Sequence, residues 1–194
     1  EAQRLIWQLS WRAPGLEPGT TLLMNDNTFT YYTDISLSAA LNWVYQPEPG
    51  SRMEYMLLYP SIRVGGKIPA LEAGQTIAVD YRSDGFEGST SQVVVVTYQP
   101  PGCLRVLDPE VEAGNTAVQD SVRKALPLTS TQWIGAQGAA RVPAETFGAP
   151  PTGTGGEIYE KADLARQWGD WAGGVDRWGR AQVLGVTPQG PVEN

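Results

Sequence analysis

Apolar residues fall along this chain in short runs and helical stripes that alternate, the pattern of a mixed α/β protein. Leu5 and Leu9, and Trp7 and Trp11, recur at i, i+4 spacing across residues 2–11, which predicts a short helix ended by Pro14. Thr21, Leu22, Leu23 and Met24 form an apolar run of strand length, halted by Asn25, Asp26 and Asn27. Asp34 reads as the N-cap of a helix over residues 35–45, with Leu37, Leu41 and Val44 on one face. Residues 54–59 then read as a second buried strand. Strand, helix, strand predicts a βαβ unit with a parallel pair.

Further along, two β-rich runs, 76–81 and 92–98, are separated by a polar, Gly-containing stretch at 82–91. They predict an antiparallel hairpin with a long connection. A short strand at 103–107 and a helix over 117–126 complete a three-layer α/β domain with a mixed sheet, residues 1–134. Residues 135–156 have the Gly/Pro/Ala-rich composition of a linker. Residues 157–194 hold two helical stretches around Trp168, Gly169 and Asp170, a helical hairpin.

Composition removes whole classes of chemistry. The 194 residues contain no histidine, so Ser-His-Asp and Cys-His nucleophile pairs, histidine metal ligands and imidazole switches are all excluded. The net charge of −7 argues against nucleic acid as a partner, because phosphate-backbone binding needs Lys and Arg. Cys103 is the single cysteine, so no intrachain disulfide forms, and it reads as a buried core thiol. No stretch approaches the ~18 apolar residues of a membrane span. The abrupt ends suggest a section of a longer protein.

Candidate chemistry is sparse. Asn25, Asp26, Asn27 and Asp34 follow the first strand, and ligands of βαβ folds gather at strand carboxyl ends. Turn formation and helix capping account for the same residues. Asp84, with Asp80 and Glu87, lies beside the polar stretch 82–91 but lacks EF-hand spacing. The candidate ligand-binding residues are therefore Asp26, Asn27, Asp34 and Asp84. Val64-Gly65-Gly66-Lys67 lacks the upstream glycine and following Ser/Thr of a P-loop and reads as a turn. No catalytic set, metal site or cofactor site is marked out. Tyr31, Tyr32, Trp43, Tyr45, Tyr55, Tyr59 and Tyr81 would serve either a carbohydrate or peptide groove or an ordinary core.

Ala162, Ala165, Gly169, Asp170, Trp171, Gly174, Trp178 and Ala181 occupy small, turn and aromatic positions that resemble a tetratricopeptide repeat. One such repeat does not bury its own face, which implies neighbours beyond Asn194 or packing on the α/β domain. Several stretches also resemble a family of large polytopic membrane proteins of Chloroflexi-type bacteria, whose glycosyltransferase-like membrane region precedes an extracytoplasmic C-terminal part. They are residues 7–14 with Pro18-Gly19-Thr20, residues 40–45, residues 100–109 and residues 161–167 running into Gly169-Asp170-Trp171. The resemblance implies membrane spans before Glu1, a location on the extracytoplasmic side, and a repeat continuing past Asn194. It assigns the catalytic carboxylates to the membrane region, so no residue here inherits that role. The expected function is a non-catalytic extracytoplasmic domain that assists substrate or partner recognition. Its partners would be its own membrane-spanning region and a glycan or protein. The alternative is an independent α/β carbohydrate-binding protein or enzyme with a strand-end site.

Overall fold

A computed structural model of the chain describes residues 1–26, 29, 33–46, 48, 50, 52–81, 84–100, 102–135, 140–151 and 156–185. The chain starts with α1 (Ala2–Arg12), β1 (Gly15–Leu16), β2 (Thr21–Met24), α2 (Asp34–Tyr45), β3 (Met56–Leu58) and α3 (Pro60–Arg63). β4 (Thr76–Tyr81), β5 (Asp84–Ser89), β6 (Val93–Thr97) and β7 (Arg105–Val106) follow. Then come α4 (Pro109–Glu112), α5 (Asp120–Ala125), β8 (Ile134–Gly135), α6 (Ala144–Phe147), α7 (Gly156–Gln167) and α8 (Trp171–Val183).

The central sheet runs in the order β3-β2-β6-β7. β2 is parallel to both β3 and β6, with Leu22 opposite Leu57 on one side and Val94 on the other. β7 closes the sheet antiparallel to β6. Both faces are covered, which is why β2 and β6 are continuous apolar runs rather than alternating ones. Leu22, Met24, Leu57, Val94 and Val96 face a core built with α1, α2 and α7. Leu23, Met56, Leu58, Val93 and Val95 face a second core with Ile77, Val79 and Phe86 and, from α5, Val122 and Ala125. The result is a three-layer α/β architecture with a mixed sheet.

α2 does more than cover β3. Thr33 caps it, its hydroxyl accepting from Ser36 N at 3.2 Å, so Asp34 is the first helical residue and the predicted cap shifts by one. Two buried polar side chains of α2 then serve the free edge of β3. Asn42 Oδ1 accepts from Glu54 N and Tyr55 N at 2.7 and 3.0 Å, and its amide donates to Tyr55 O at 2.7 Å. Ser38 Oγ accepts from Leu57 N at 2.9 Å. An edge strand that would otherwise expose a row of unpaired groups is thereby closed.

The expected hairpin is paired differently. β4 pairs antiparallel with β5, from Thr76 opposite Ser89 to Tyr81 opposite Asp84, while β6 joins the parallel sheet. The stretch expected to be a connecting loop is thus largely a strand. Its signal is weak because Phe86 is the one fully buried side chain of Asp84–Ser89, set between Gly85 and Gly88. Gly88 answers a close approach, since a Cβ there would sit 3.0 Å from Gly19 O and closer still to the Phe86 ring.

The helical hairpin α7–α8 turns at Gly169, whose φ is +76°, and Asp170 caps α8 by accepting from Gly173 N at 2.9 Å. Arg12, fully buried at the end of α1, donates to Asp163 at 3.0 Å and also to Gln167. Gln167 in turn donates to Val106 O at 2.9 Å. The described part of the Gly/Pro/Ala-rich stretch also touches the α/β body. Arg141 N donates to Val44 O at 2.8 Å, and Phe147 is buried with its ring edge-on to Trp43.

Candidate functional site

The chain leaves β2 through α2 on one face of the sheet and reaches β6 from β3 through α3 and the β4–β5 hairpin on the other. The connection that leaves β2 and the one that reaches its neighbour β6 therefore lie on opposite faces of the sheet. In open α/β sheets such a switch point leaves a crevice beyond the strand carboxyl ends. A cleft of ≈ 630 Å³ lies there, bordered by Asn25, Asp26, Tyr98, Gln99, Ala117 and Gln119.

The strand ends are tied together by side chains. Asn25, buried, accepts from Tyr98 N at 2.7 Å and donates to Tyr98 O at 3.0 Å, extending the β2–β6 pairing one step past the ladder. Asp26 follows Asn25 at the border of the cleft. Ser61 Oγ, from the segment after β3, donates to Asp26 Oδ2, and Gln119 Nε2, just before α5, donates to Asp26 Oδ1. Asp26 N returns a bond to Gln119 Oε1 at 3.2 Å. Burial raises the Asp26 pKa, but the hydrogen bonds from Ser61, Gln119 and the backbone outweigh it and leave the carboxyl below its ordinary value. Asp26 is thus an ionised acceptor at neutral pH, with lone pairs left on both oxygens.

Asp34 belongs to a neighbouring structural pair. It is fully buried and gripped by Arg63, Nε to Oδ2 and Nη2 to Oδ1, both at 2.6 Å. Ile35 N adds a 3.0 Å bond to Oδ1. The bidentate fork ties α2 to α3 and presents no face to the cleft. Burial, followed by the charges of Asp34 and Asp26, pushes the Tyr59 phenol up to about 12, and its hydroxyl is buried without a hydrogen-bond partner among the described residues.

Asp84 is not brought to this place. It opens β5 beside Gly85, whose carbonyl accepts from Met53 N ahead of β3, at the amino end of the sheet. Asn27, Tyr31 and Tyr32 lie outside the described residues. Val64–Lys67 is a turn with Gly65 at φ +82°. Tyr45 and Tyr55 are core aromatics, whereas Trp43 is 60% exposed. Cys103 is part-exposed rather than buried, and it borders an apolar groove of ≈ 320 Å³ with Tyr159, Trp171, Val175 and Trp178 of the helical hairpin. Ser61 and Gln119 escaped the sequence reading because they lie 35 and 93 residues from Asp26 and carry no motif. No group of three or more His, Cys, Asp or Glu is arranged for a metal ion among the described residues.

The fold and cleft define a three-layer α/β protein with a polar switch-point crevice. Comparison with family models, curated proteins and solved structures finds no match to this chain.

Proposed function

We propose that the chain is a non-catalytic recognition domain that takes a small polar ligand in the strand-end cleft. The observation that carries this is the Asp26 carboxylate, held ionised by Ser61 and Gln119 in a crevice at the carboxyl ends of three parallel strands. A general acid or base works best with a pKa near the working pH, and a carboxyl pushed further down is suited to accepting hydrogen bonds instead. The volume falls within the range of small-molecule sites, about 300–1,000 Å³.

The wider setting belongs to the same proposal. The sequence resemblance implies a domain on the extracytoplasmic side of a polytopic membrane protein, where it would offer ligand to the membrane portion. Two-dimensional NMR of the labelled chain with glucose, arginine, choline and inorganic phosphate added in turn tests the cleft. Shifts concentrated on the amides of Asp26, Gln99 and Gln119 are expected for at least one probe. Shifts scattered over the surface, or none at millimolar concentration, would count against it. The membrane setting is tested separately, by reading the gene upstream of Glu1 for apolar spans.

A further inference from the structure

We infer that the ligand class of this cleft is a neutral saccharide, held through adjacent hydroxyl groups; the inference rests on the cleft being the binding site. Charge narrows the choice first. Among the described residues bordering the cleft there is no lysine or arginine, while Glu1 and Asp26 are both acidic. Arg63 is committed to Asp34, and at Tyr98, whose phenol burial raises, the charge of Arg4 is opposed by those of Glu1 and Cys103. A phosphate or carboxylate ligand would therefore meet no lysine or arginine side chain at the border of the cleft, on a chain of net charge −7.

Hydrogen-bond polarity narrows it further. Each Asp26 oxygen accepts one bond within the protein and keeps capacity for another. The Gln119 amide uses one N–H on Asp26 and keeps its second, and Gln99 is exposed at the rim with no side-chain bond among the described residues. The cleft thus offers carboxylate acceptors together with two side-chain amides that both donate and accept. A hydroxyl both donates and accepts, so a pair of neighbouring hydroxyls satisfies both kinds of group at once. An ammonium ion only donates, so it would pair with Asp26 and the amide oxygens but leave the amide N–H groups to water. Pro100 and Ala117 add small apolar surfaces at the border, suited to the C–H face of a sugar ring.

The test is saturation-transfer NMR and calorimetry on the full chain with glucose, galactose, mannose, N-acetylglucosamine and maltose. Choline, spermidine and inorganic phosphate serve as counter-probes. At least one sugar should bind saturably. Its affinity should fall roughly 10- to 100-fold in Asp26→Ala and in Gln119→Ala, the loss of a hydrogen bond to a charged group or of its amide neighbour. Gln99→Ala, at an exposed position that leaves the fold intact, should weaken it several-fold, and Asp84→Ala should not change it. Asp26-dependent binding of choline, spermidine or phosphate, with no sugar bound, would overturn the saccharide class while leaving the cleft as the site. Binding of no probe, or sugar binding indifferent to Asp26, Gln119 and Gln99, would overturn the class and the cleft together.

Discussion

At Asp26, burial and hydrogen bonding act on the carboxyl in opposite directions, and hydrogen bonding wins. A carboxyl depressed in the folded state stabilises the fold above its unfolded-state pKa of about 3.9, and that contribution is lost as pH falls through the folded value. Wild type should therefore melt above Asp26→Asn from pH 7 down to about 4, and the gap should close below that. A gap unchanged from neutral pH to pH 2 would mean that the amide-for-carboxylate exchange acts through shape alone. Tyrosines give the opposite sign. Burial first, with smaller charge effects, raises Tyr55, Tyr59 and Tyr98 to about 12, and Tyr45 is pushed up further. A phenol raised in the fold stabilises it below the unfolded value of about 10 and loses that contribution as pH rises through the folded one. Phenolate absorbance of these four tyrosines should then appear only as near-ultraviolet circular dichroism collapses. A single stage near pH 10 with the fold intact would contradict their burial.

At the scale of elements, what could be read from the chain depended on how locally each element is determined. β2, α2 and β3 were legible because a four-residue apolar run, an apolar helical stripe and closing prolines all act within a dozen residues. α7 and α8 were legible for the same reason, with Gly169 and Asp170 supplying the turn and cap. β5 was not, since Gly85, Gly88 and two acidic residues hide a strand that exists only because β4 pairs with it. The partner of β6 was hidden too: Val93–Val96 fit any buried strand, and only the two covered faces select the parallel sheet. Asp26 is marked by its place at the strand end, but Ser61 and Gln119 reach it only through the folded topology, and nothing near Asp34 in sequence announces Arg63, which grips it. The α2–β3 edge gives a direct check. Asn42→Leu fills similar volume but strips partners from Glu54 N, Tyr55 N and Tyr55 O, and should cost roughly 3 kcal/mol in urea unfolding. A loss under about 1 kcal/mol would mean that water replaces the amide at this edge.

Across the whole molecule, the issue is how the helical hairpin is held to the three-layer body. Two observations join them: α7 packs along α1, and fully buried Arg12 donates to Asp163 and Gln167, while Gln167 reaches Val106 on β7. The outer face of α8 is different, with Trp171, Val175 and Val183 at 65, 70 and 87% exposure. Among the described residues the hairpin is anchored through α7, by Leu164 in the core shared with α1 and α2 and by this buried polar network. Breaking a buried pair from the carboxylate side leaves a buried guanidinium behind and typically costs about 3–5 kcal/mol, whereas Arg12→Met leaves a part-exposed Asp163 that still pairs with Arg166. Asp163 is 29% exposed, so the lower end applies, near 3 kcal/mol for Asp163→Ala. Arg12→Met should retain more stability than Asp163→Ala, whereas attraction alone would make the two losses equal. Hydrogen exchange locates the effect. In Asp163→Ala the amides of α7 and α8 should lose protection first, while β2, β3 and β6, buried on both faces, keep theirs at the level of global unfolding. Equal loss of protection in hairpin and sheet would show that the hairpin unfolds only with the body, and that Arg12 contributes to one cooperative core rather than to a separable anchor.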